Sequence, residues 1–242
     1  MAGVDGTGIS IVLPTLNEEK NLAHTLHSLK KMFPKAEIVV ADGGSKDDTM
    51  AIASKAGVKV CLEKVKKGNP PSIGAGRNTG AREATREYLF FCDADNVPPK
   101  LFFERAVKAF EDPGIVGFGG KVMPNNATFL QNWVFEVFNL IVQVSGLLGQ
   151  PVIAGNAAAY KRKQFFAAGG FDEEMQASED QDLCRRIGRK GKVVYDKQVV
   201  TYTSNRRLKK FGLMGLLLDW GKTTLNFLLG IKTKRYAIIR EI

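Results

Sequence analysis

Apolar positions along the chain alternate between short continuous runs and helical spacing. Ile9-Ser-Ile-Val-Leu13 is a short apolar run ended by Pro14, and Leu22, Leu26, Leu29 and Phe33 then recur at the helical period, with Asn17 as the predicted cap. Glu37-Ile-Val-Val-Ala41 reads as a second strand, Asp48 as the cap of a helix reaching Lys55 with Gly57 as its stop, and Val58 to Leu62 as a third strand. A Lys- and Pro-rich loop from Lys64 to Ile73 precedes a helix predicted from near Gly76 to near Arg86. Tyr88-Leu-Phe-Phe-Cys92 follows as a fully apolar strand. Strands separated by helices of this length imply right-handed crossovers and a mostly parallel sheet, an α/β fold whose ligands bind outside the carboxyl ends of the strands. Asp42 and Asp93 both fall on that edge.

Further along, a helix is predicted from Lys100 to Phe110 and a Gly-rich strand from Ile115 to Val122. The long apolar stretch from Phe129 to Leu148 is interrupted by Glu136, Asn139, Gln143 and Gly146, which favours a buried or interfacial helix over a membrane span. From Phe211 to Ile231, Leu213, Leu216, Leu217, Trp220, Thr224, Phe227 and Leu228 follow helical spacing, broken by Asp219, Lys222 and Asn226. That pattern predicts an amphipathic C-terminal helix, either an interfacial anchor or a helix packed on the domain or on another subunit. The organisation expected is one domain over residues 1–203 and a basic amphipathic helical segment over 204–242.

With 242 residues, 44% of them hydrophobic, the chain carries enough apolar side chains for a sizeable core. Its first residues show neither a basic nor an apolar leader region, so cytoplasmic folding is expected. Cys61, Cys92 and Cys184 form no C-x-x-C pair and read as reduced core thiols. His24 and His27 share a helix face without an acid or cysteine to complete a metal set, and read as surface. Charge is uneven: nine basic and two acidic residues from Ser204 to Ile242 carry +7 of the net +10. Such a tail suits an anionic membrane surface. No recognition-helix module or ordered aromatic platform accompanies it, so a nucleic-acid partner is not expected.

Candidate chemistry begins at Asp93-Ala94-Asp95, which closes the apolar strand and is followed by Asn96 and Pro98-Pro99. Two acids one residue apart can share a divalent cation that bridges to a diphosphate, while the same residues are also ordinary turn formers. Gly74-Ala-Gly-Arg-Asn-Thr-Gly80 has the spacing G-x-G-x-x-x-G and follows a loop instead of a strand, so it is not a dinucleotide fingerprint. Arg77, at a predicted helix start, reads as a diphosphate contact or as solvated surface. Ser178-Glu179-Asp180-Gln181-Asp182 opens a helix with Ser178 as a capping signal. Its acids stabilise a first turn, and Asp180 becomes a well-placed general base if it faces the Asp93 edge.

Pro14-Thr-Leu-Asn-Glu-Glu19, Ala41-Asp-Gly-Gly-Ser-Lys-Asp-Asp-Thr49, Gly76-Arg-Asn-Thr-Gly80, Asp93-Ala94-Asp95, Gly155-Asn156 through Gly169-Gly-Phe-Asp-Glu173, and Ser178-Glu179-Asp180 stand in the order found in a known family. The chain resembles the inverting, family two nucleotide-diphospho-sugar glycosyltransferases of the GT-A fold. That resemblance implies a Rossmann-like mostly parallel sheet flanked by helices, and a UDP-, GDP- or dTDP-sugar as donor. It implies that Pro14, Thr15 and Glu18 line the base and ribose pocket and that Asp42 accepts a hydrogen bond from the base. Asp93, Ala94 and Asp95 would flank the diphosphate, with Asp93 and Asp95 holding Mn2+ or Mg2+. Asp180, with Glu179 beside it, would form the catalytic acidic pair, Asp180 being the base.

Arg206 and Arg207 are expected to close over the diphosphate or a phosphorylated lipid acceptor. The acceptor, a hydroxyl or phosphate, is expected at the cytoplasmic membrane face and is open to lipid linkage. Family members that polymerise carry Q-x-x-R-W after the base; this chain reads Gln181-Asp-Leu-Cys-Arg-Arg186 there, which favours single addition. Thr201-Tyr-Thr-Ser-Asn205 stands where some relatives have a histidine ligand. Two other readings stay open: a non-catalytic nucleotide-sugar binder or scaffold, and a sugar nucleotidyltransferase, which would need a Gly-rich basic loop where Pro14 to Glu19 stand.

Overall fold

The computed structural model describes residues 4–64 and 72–233. In chain order the elements are β1 (Ile9–Thr15), α1 (Glu19–Met32), β2 (Glu37–Asp42), α2 (Thr49–Lys55), β3 (Lys59–Leu62), α3 (Ile73–Glu83), β4 (Tyr88–Cys92) and α4 (Lys100–Phe110). They continue with β5 (Ile115–Pro124), α5 (Phe129–Leu147), β6 (Ala157–Lys161), α6 (Arg162–Ala167), α7 (Glu179–Ile187), β7 (Lys192–Thr203) and α8 (Arg206–Leu228). The strands form one sheet in the order β3-β2-β1-β4-β6-β5-β7. Strand β6 pairs antiparallel with β4 and with β5, and the other pairings are parallel. The mostly parallel sheet expected from the strand-helix alternation is therefore present. The break at β6 was not anticipated, because Ala157-Ala-Ala carries little strand propensity of its own.

Parallel strands covered on both faces must be apolar on both, and alternate residues divide between two core layers. On one face Ile9, Ile11, Leu13, Phe90 and Cys92 pack with Leu22, Leu26 and Leu29 of α1 and Phe102 and Phe103 of α4. On the other, Val12, Leu89 and Phe91 pack with Ala81, Phe165, Phe171 and Leu183. Phe90 stacks on Phe103 at 4.8 Å between ring centroids, and Phe91 meets Phe171 edge-on at 5.2 Å. Helix α3 lies close against β1 because Gly80 has no side chain; a Cβ there would collide with Val12.

Several predicted caps take other roles. Asn17 sits in the left-handed region (φ 55°) and its Oδ1 accepts the Lys46 N–H at 2.9 Å, while α1 starts at Glu19. Asp47, not Asp48, receives the Thr49 N–H at the head of α2. Ser178 is also left-handed (φ 63°) and makes no side-chain cap. His24 and His27 are exposed, Cys92 and Cys184 are buried, Cys61 is half-buried, and all three thiols are free.

The predicted C-terminal helix is present and packs one face on the domain. Gly212 (φ 67°, ψ 175°) kinks α8 near its start, and beyond it Leu213, Leu216 and Trp220 lie on one face packed with Phe135. Leu208 and Leu216 are buried against Phe135 of α5, whereas Met214, Leu218, Leu225 and Leu228 are exposed. Helix α5 likewise buries Phe135, Asn139 and Val142 and exposes Phe129, Trp133 and Leu147. Among the described residues no helix is long and apolar enough to cross a membrane. Lys234, Arg235 and Arg240 of the basic tail, and most of the loop from Lys64 to Ile73, lie outside the described residues.

Candidate active site

A cleft of about 480 Å3 opens at the carboxyl edge of the sheet. Thr15, Glu18, Asp93 and Asp95 line it from the ends of β1 and β4, and Asp180 and Arg206 from α7 and α8. Directly after β4 the backbone turns, with the Asn96 N–H donating to the Asp93 carbonyl at 3.1 Å. Ala94 points into the core, where its carbonyl accepts the Thr25 hydroxyl at 2.7 Å. The residues on either side of it, Asp93 and Asp95, are thereby left at the cleft. Turn chemistry and a carboxylate pair coexist in one tripeptide.

Asp93 does not stand alone. Arg77 donates through Nη2 to Asp93 at 3.2 Å and through Nη1 to Glu179 at 2.9 Å, with its side chain only 3% exposed. Ser72, whose Oγ accepts the Ala75 N–H at 3.1 Å, caps α3, so the helix begins at Ile73 and Arg77 falls in its second turn. This corrects both sequence readings of Arg77: it is neither at a helix terminus nor on the surface, but a buried strut beneath the cleft. Burial opposes its charge, yet Asp93, Glu179 and Asp180 around it raise its pKa overall. Glu179 is corrected with it. Its carboxylate is committed to Arg77, and burial first, then the Asp180 charge, pushes its pKa up to about 7 against the lowering by Arg77.

Asp180 is presented differently. Its Oδ2 accepts the Gly155 N–H at 3.1 Å and its Oδ1 the Gln181 N–H at 2.8 Å. Two backbone donors fix the carboxylate while each oxygen keeps a lone pair for another proton. Glycine is needed at 155 because a Cβ there would strike the Arg77 guanidinium. Asn78 completes the support: Oδ1 accepts the Phe171 N–H at 2.9 Å and Nδ2 donates to the Phe171 carbonyl at 2.8 Å. Gly74–Gly80 and Gly169–Glu173 are thus two halves of one clamp that carries α7 to the cleft.

Pro14, Thr15 and Glu18 line the cleft. Asp42 does not. It is fully buried and spends both oxygens on the protein, accepting from the Gly44 and Ser45 N–H groups, the Ser45 hydroxyl and the Thr15 hydroxyl at 2.6–3.0 Å. A carboxylate so committed braces the loop and has nothing left for a base.

The acid that does reach this part of the cleft is Glu63, just past β3, which sequence reasoning missed. Its Oε1 accepts the Ser72 N–H at 3.3 Å. Its Oε2 lies 3.0 Å from where a Cβ on Gly43 would stand and 3.5 Å from one on Gly76. Those two glycines make its slot, and they were the signal available.

Arg206 lies across the acids, its Nη2 2.5 Å from Asp95 and 3.3 Å from Glu18. Burial opposes its charge, and the two carboxylates raise its pKa overall. Arg207 pairs with Asp219 at 3.1 Å instead. Burial first, then the Asp95 and Glu18 charges, raise the pKa of Asp93 despite the Arg77 contact.

A mostly parallel sheet with an aspartate pair on its carboxyl edge, and a clamped carboxylate brought in by a later helix, defines the GT-A class of nucleotide-sugar transferase folds. The chain belongs to glycosyl transferase family 2: residues 10–166 match the family model, well over half of the chain. It is 27% identical over 219 residues to the succinoglycan biosynthesis protein ExoA of Rhizobium meliloti, covering 84% of this chain and 65% of that protein.

Among solved structures, the mannosyltransferase PcManGT from Pyrobaculum calidifontis in complex with GDP-Man and Mn2+ superposes with a TM-score of 0.65 at 21% identity, covering 88% of this chain and 64% of that one. Glucosyl-3-phosphoglycerate synthase from Mycobacterium tuberculosis, in complex with Mn2+, UDP and glucosyl-3-phosphoglycerate, gives 0.65 at 22%, covering 97% and 84%. The chain spans 43% to 65% of the length of the first curated relatives it matches.

Proposed function

We infer that the protein transfers one sugar from a nucleotide diphosphate sugar to an acceptor oxygen, with inversion at the anomeric carbon. The observation that carries this is Asp180, held by two backbone donors in the same cleft as Asp93 and Asp95. The acceptor O–H donates to Asp180, and its oxygen attacks the face opposite the diphosphate. A new C–O bond forms as the old one breaks, the electron pair leaves with the nucleoside diphosphate, and the proton passes to Asp180.

An anionic diphosphate entering a cleft that already holds Glu18, Asp93 and Asp95 needs positive charge. Among the described residues no group of three or more His, Cys, Asp or Glu side chains is placed to hold an ion. Two hard carboxylates with substrate phosphates completing the set suit Mg2+ or Mn2+, which are bound in that way. Asp93 and Asp95 would hold the ion, and when bound it would stabilise charge on the leaving diphosphate. Both solved neighbours named above contain Mn2+.

Glu63 takes the base-reading role once expected of Asp42. A carboxylate accepts the ring N–H that uracil, thymine and guanine present and that adenine and cytosine lack. A thermal-shift screen of UDP, GDP, dTDP, ADP and CDP, with and without Mn2+, should give the largest Mn2+-dependent shift for one of the first three. Its sugar conjugate should then be slowly hydrolysed. Glu63→Gln should weaken that nucleotide about 10- to 100-fold, the range for a hydrogen bond to a charged group, and leave ADP unchanged. No shift and no turnover with any nucleotide would refute the transferase reading; equal weakening of ADP would refute the role of Glu63.

The enzyme works peripherally on an anionic membrane face. Exposed Phe129, Trp133 and Leu147 on α5 and Met214 and Leu218 on α8, with Lys209, Lys210 and Lys222 beside the latter, support this. The protein should sediment with vesicles containing phosphatidylglycerol and not with pure phosphatidylcholine, and Leu218→Glu should reduce the bound fraction several-fold. Self-association without vesicle binding would refute it.

A further inference from the structure

The cleft does not end at its carboxylates. It continues between α5 and α8 to a wall made by Phe135, Phe138, Leu216 and Trp220. Phe135 meets Trp220 edge-on at 5.2 Å and Phe138 lies tilted on it at 4.7 Å, so the rings hold one another in place. Leu208 and Leu216 pack with Phe135 in one buried cluster. Helix α8 lies beyond residues 10–166, the part matched by the family model, so this wall is built in large part from sequence outside the shared region.

We propose that this wall is the acceptor subsite, and that the acceptor is an amphiphile with a hydroxyl-bearing head at Asp180 and an apolar chain against Phe138 and Trp220. The proposal rests on the transferase reading of the carboxylate end and names its acceptor class. An apolar, aromatic wall continuous with the base selects for apolar surface on the nucleophile itself. The head is assigned from charge. Glu18, Asp95 and Asp180 line the approach, and the nearby arginines are already paired, Arg206 with the first two and Arg207 with Asp219. A neutral hydroxyl is tolerated there, and it is also the nucleophile that needs a carboxylate to take its proton. An anionic head would be repelled. In transfer the hydroxyl oxygen forms the new bond to the anomeric carbon, its proton goes to Asp180, and the nucleoside diphosphate departs with the electron pair of the broken bond.

Calorimetric titration with n-alkyl β-D-glucosides from ethyl to octyl, each below its micelle concentration, tests the subsite by binding alone. Affinity should rise about three- to fourfold for each added methylene, the transfer value for a buried CH2, until the chain outgrows the wall. Octyl phosphate should bind more weakly than octyl glucoside. Phe138→Ala and Trp220→Ala should flatten the series, and Trp220→Phe should restore most of it.

The thermal shift with the preferred nucleoside diphosphate reports whether each variant is folded. Ile141→Ser, on the exposed side of α5, should leave the series intact. An affinity independent of chain length, a series unchanged by both wall variants, a series abolished by Ile141→Ser, or tighter binding of octyl phosphate would each overturn the proposal. Its failure is separable from that of the transferase reading: hydrolysis of the nucleotide sugar by water needs no acceptor and reports that reading by itself.

Discussion

Asp180→Asn should reduce sugar transfer by about 10²- to 10⁴-fold, the usual worth of general-base assistance, while leaving nucleotide binding in place. The amide keeps the size of the carboxylate and can still accept the Gly155 N–H through its oxygen, but it cannot take the acceptor's proton. Binding and chemistry should therefore separate. The nucleoside diphosphate thermal shift with Mn2+ should stay within about 1 °C of wild type, while transfer under saturating donor collapses. A variant as active as wild type would make Asp180 only a residue of the first turn of α7, whereas nucleotide binding without turnover in wild type and variant alike would favour the scaffold reading. A variant that loses nucleotide binding as well would show that the substitution disturbs the clamp, and Asp180→Glu would then separate proton transfer from placement.

The second large effect belongs to Arg77→Met. Removing one partner of a buried charge group leaves the others uncompensated, at a cost of about 3–5 kcal/mol. Here two carboxylates, Asp93 and Glu179, lose their shared partner. For a chain of this size the melting temperature should fall by on the order of 10 °C. Adding Glu179→Gln should recover part of that loss, because one of the stranded charges is then gone, so the two substitutions should be strongly non-additive. Gly155→Ala should resemble Arg77→Met, since its Cβ competes for the space of the guanidinium. A change of less than about 2 °C for Arg77→Met would place the arginine outside the framework of the site.

How far the sequence could be read depended on whether a residue's role was set locally. Strands β1 and β4, buried on both faces, were legible as short, mainly apolar runs, and with them the sheet edge that carries Asp93 and Asp95. Asp42 was misjudged because its role depends on a turn in which Gly44 adopts φ 89°, folding two backbone N–H groups onto the carboxylate. Arg77 was misplaced by less than one helical turn. Ser72 starts α3 at Ile73 instead of near Gly76, and that offset turns a terminal residue into a buried one. Glu63 left no local trace, since its position depends on the pairing of β3 with β2 and on space above Gly43 and Gly76. The C-terminal helix was legible from Leu213 onward, because Leu213, Leu216 and Trp220 follow one face that packs with Phe135; the kink at Gly212 before them was not.

The Arg77 strut also bears on how the protein is made. Its bond to Glu179 spans 102 residues of sequence, so a nascent chain that has completed β1 to β4 still lacks one of the two carboxylates that make this arginine fit to bury. Contacts of such long range carry the full entropic cost of loop closure before they return anything, and they form late. The sheet edge thus waits on α7 for its finished shape, and the cleft is complete only once Glu179 and Asp180 have arrived.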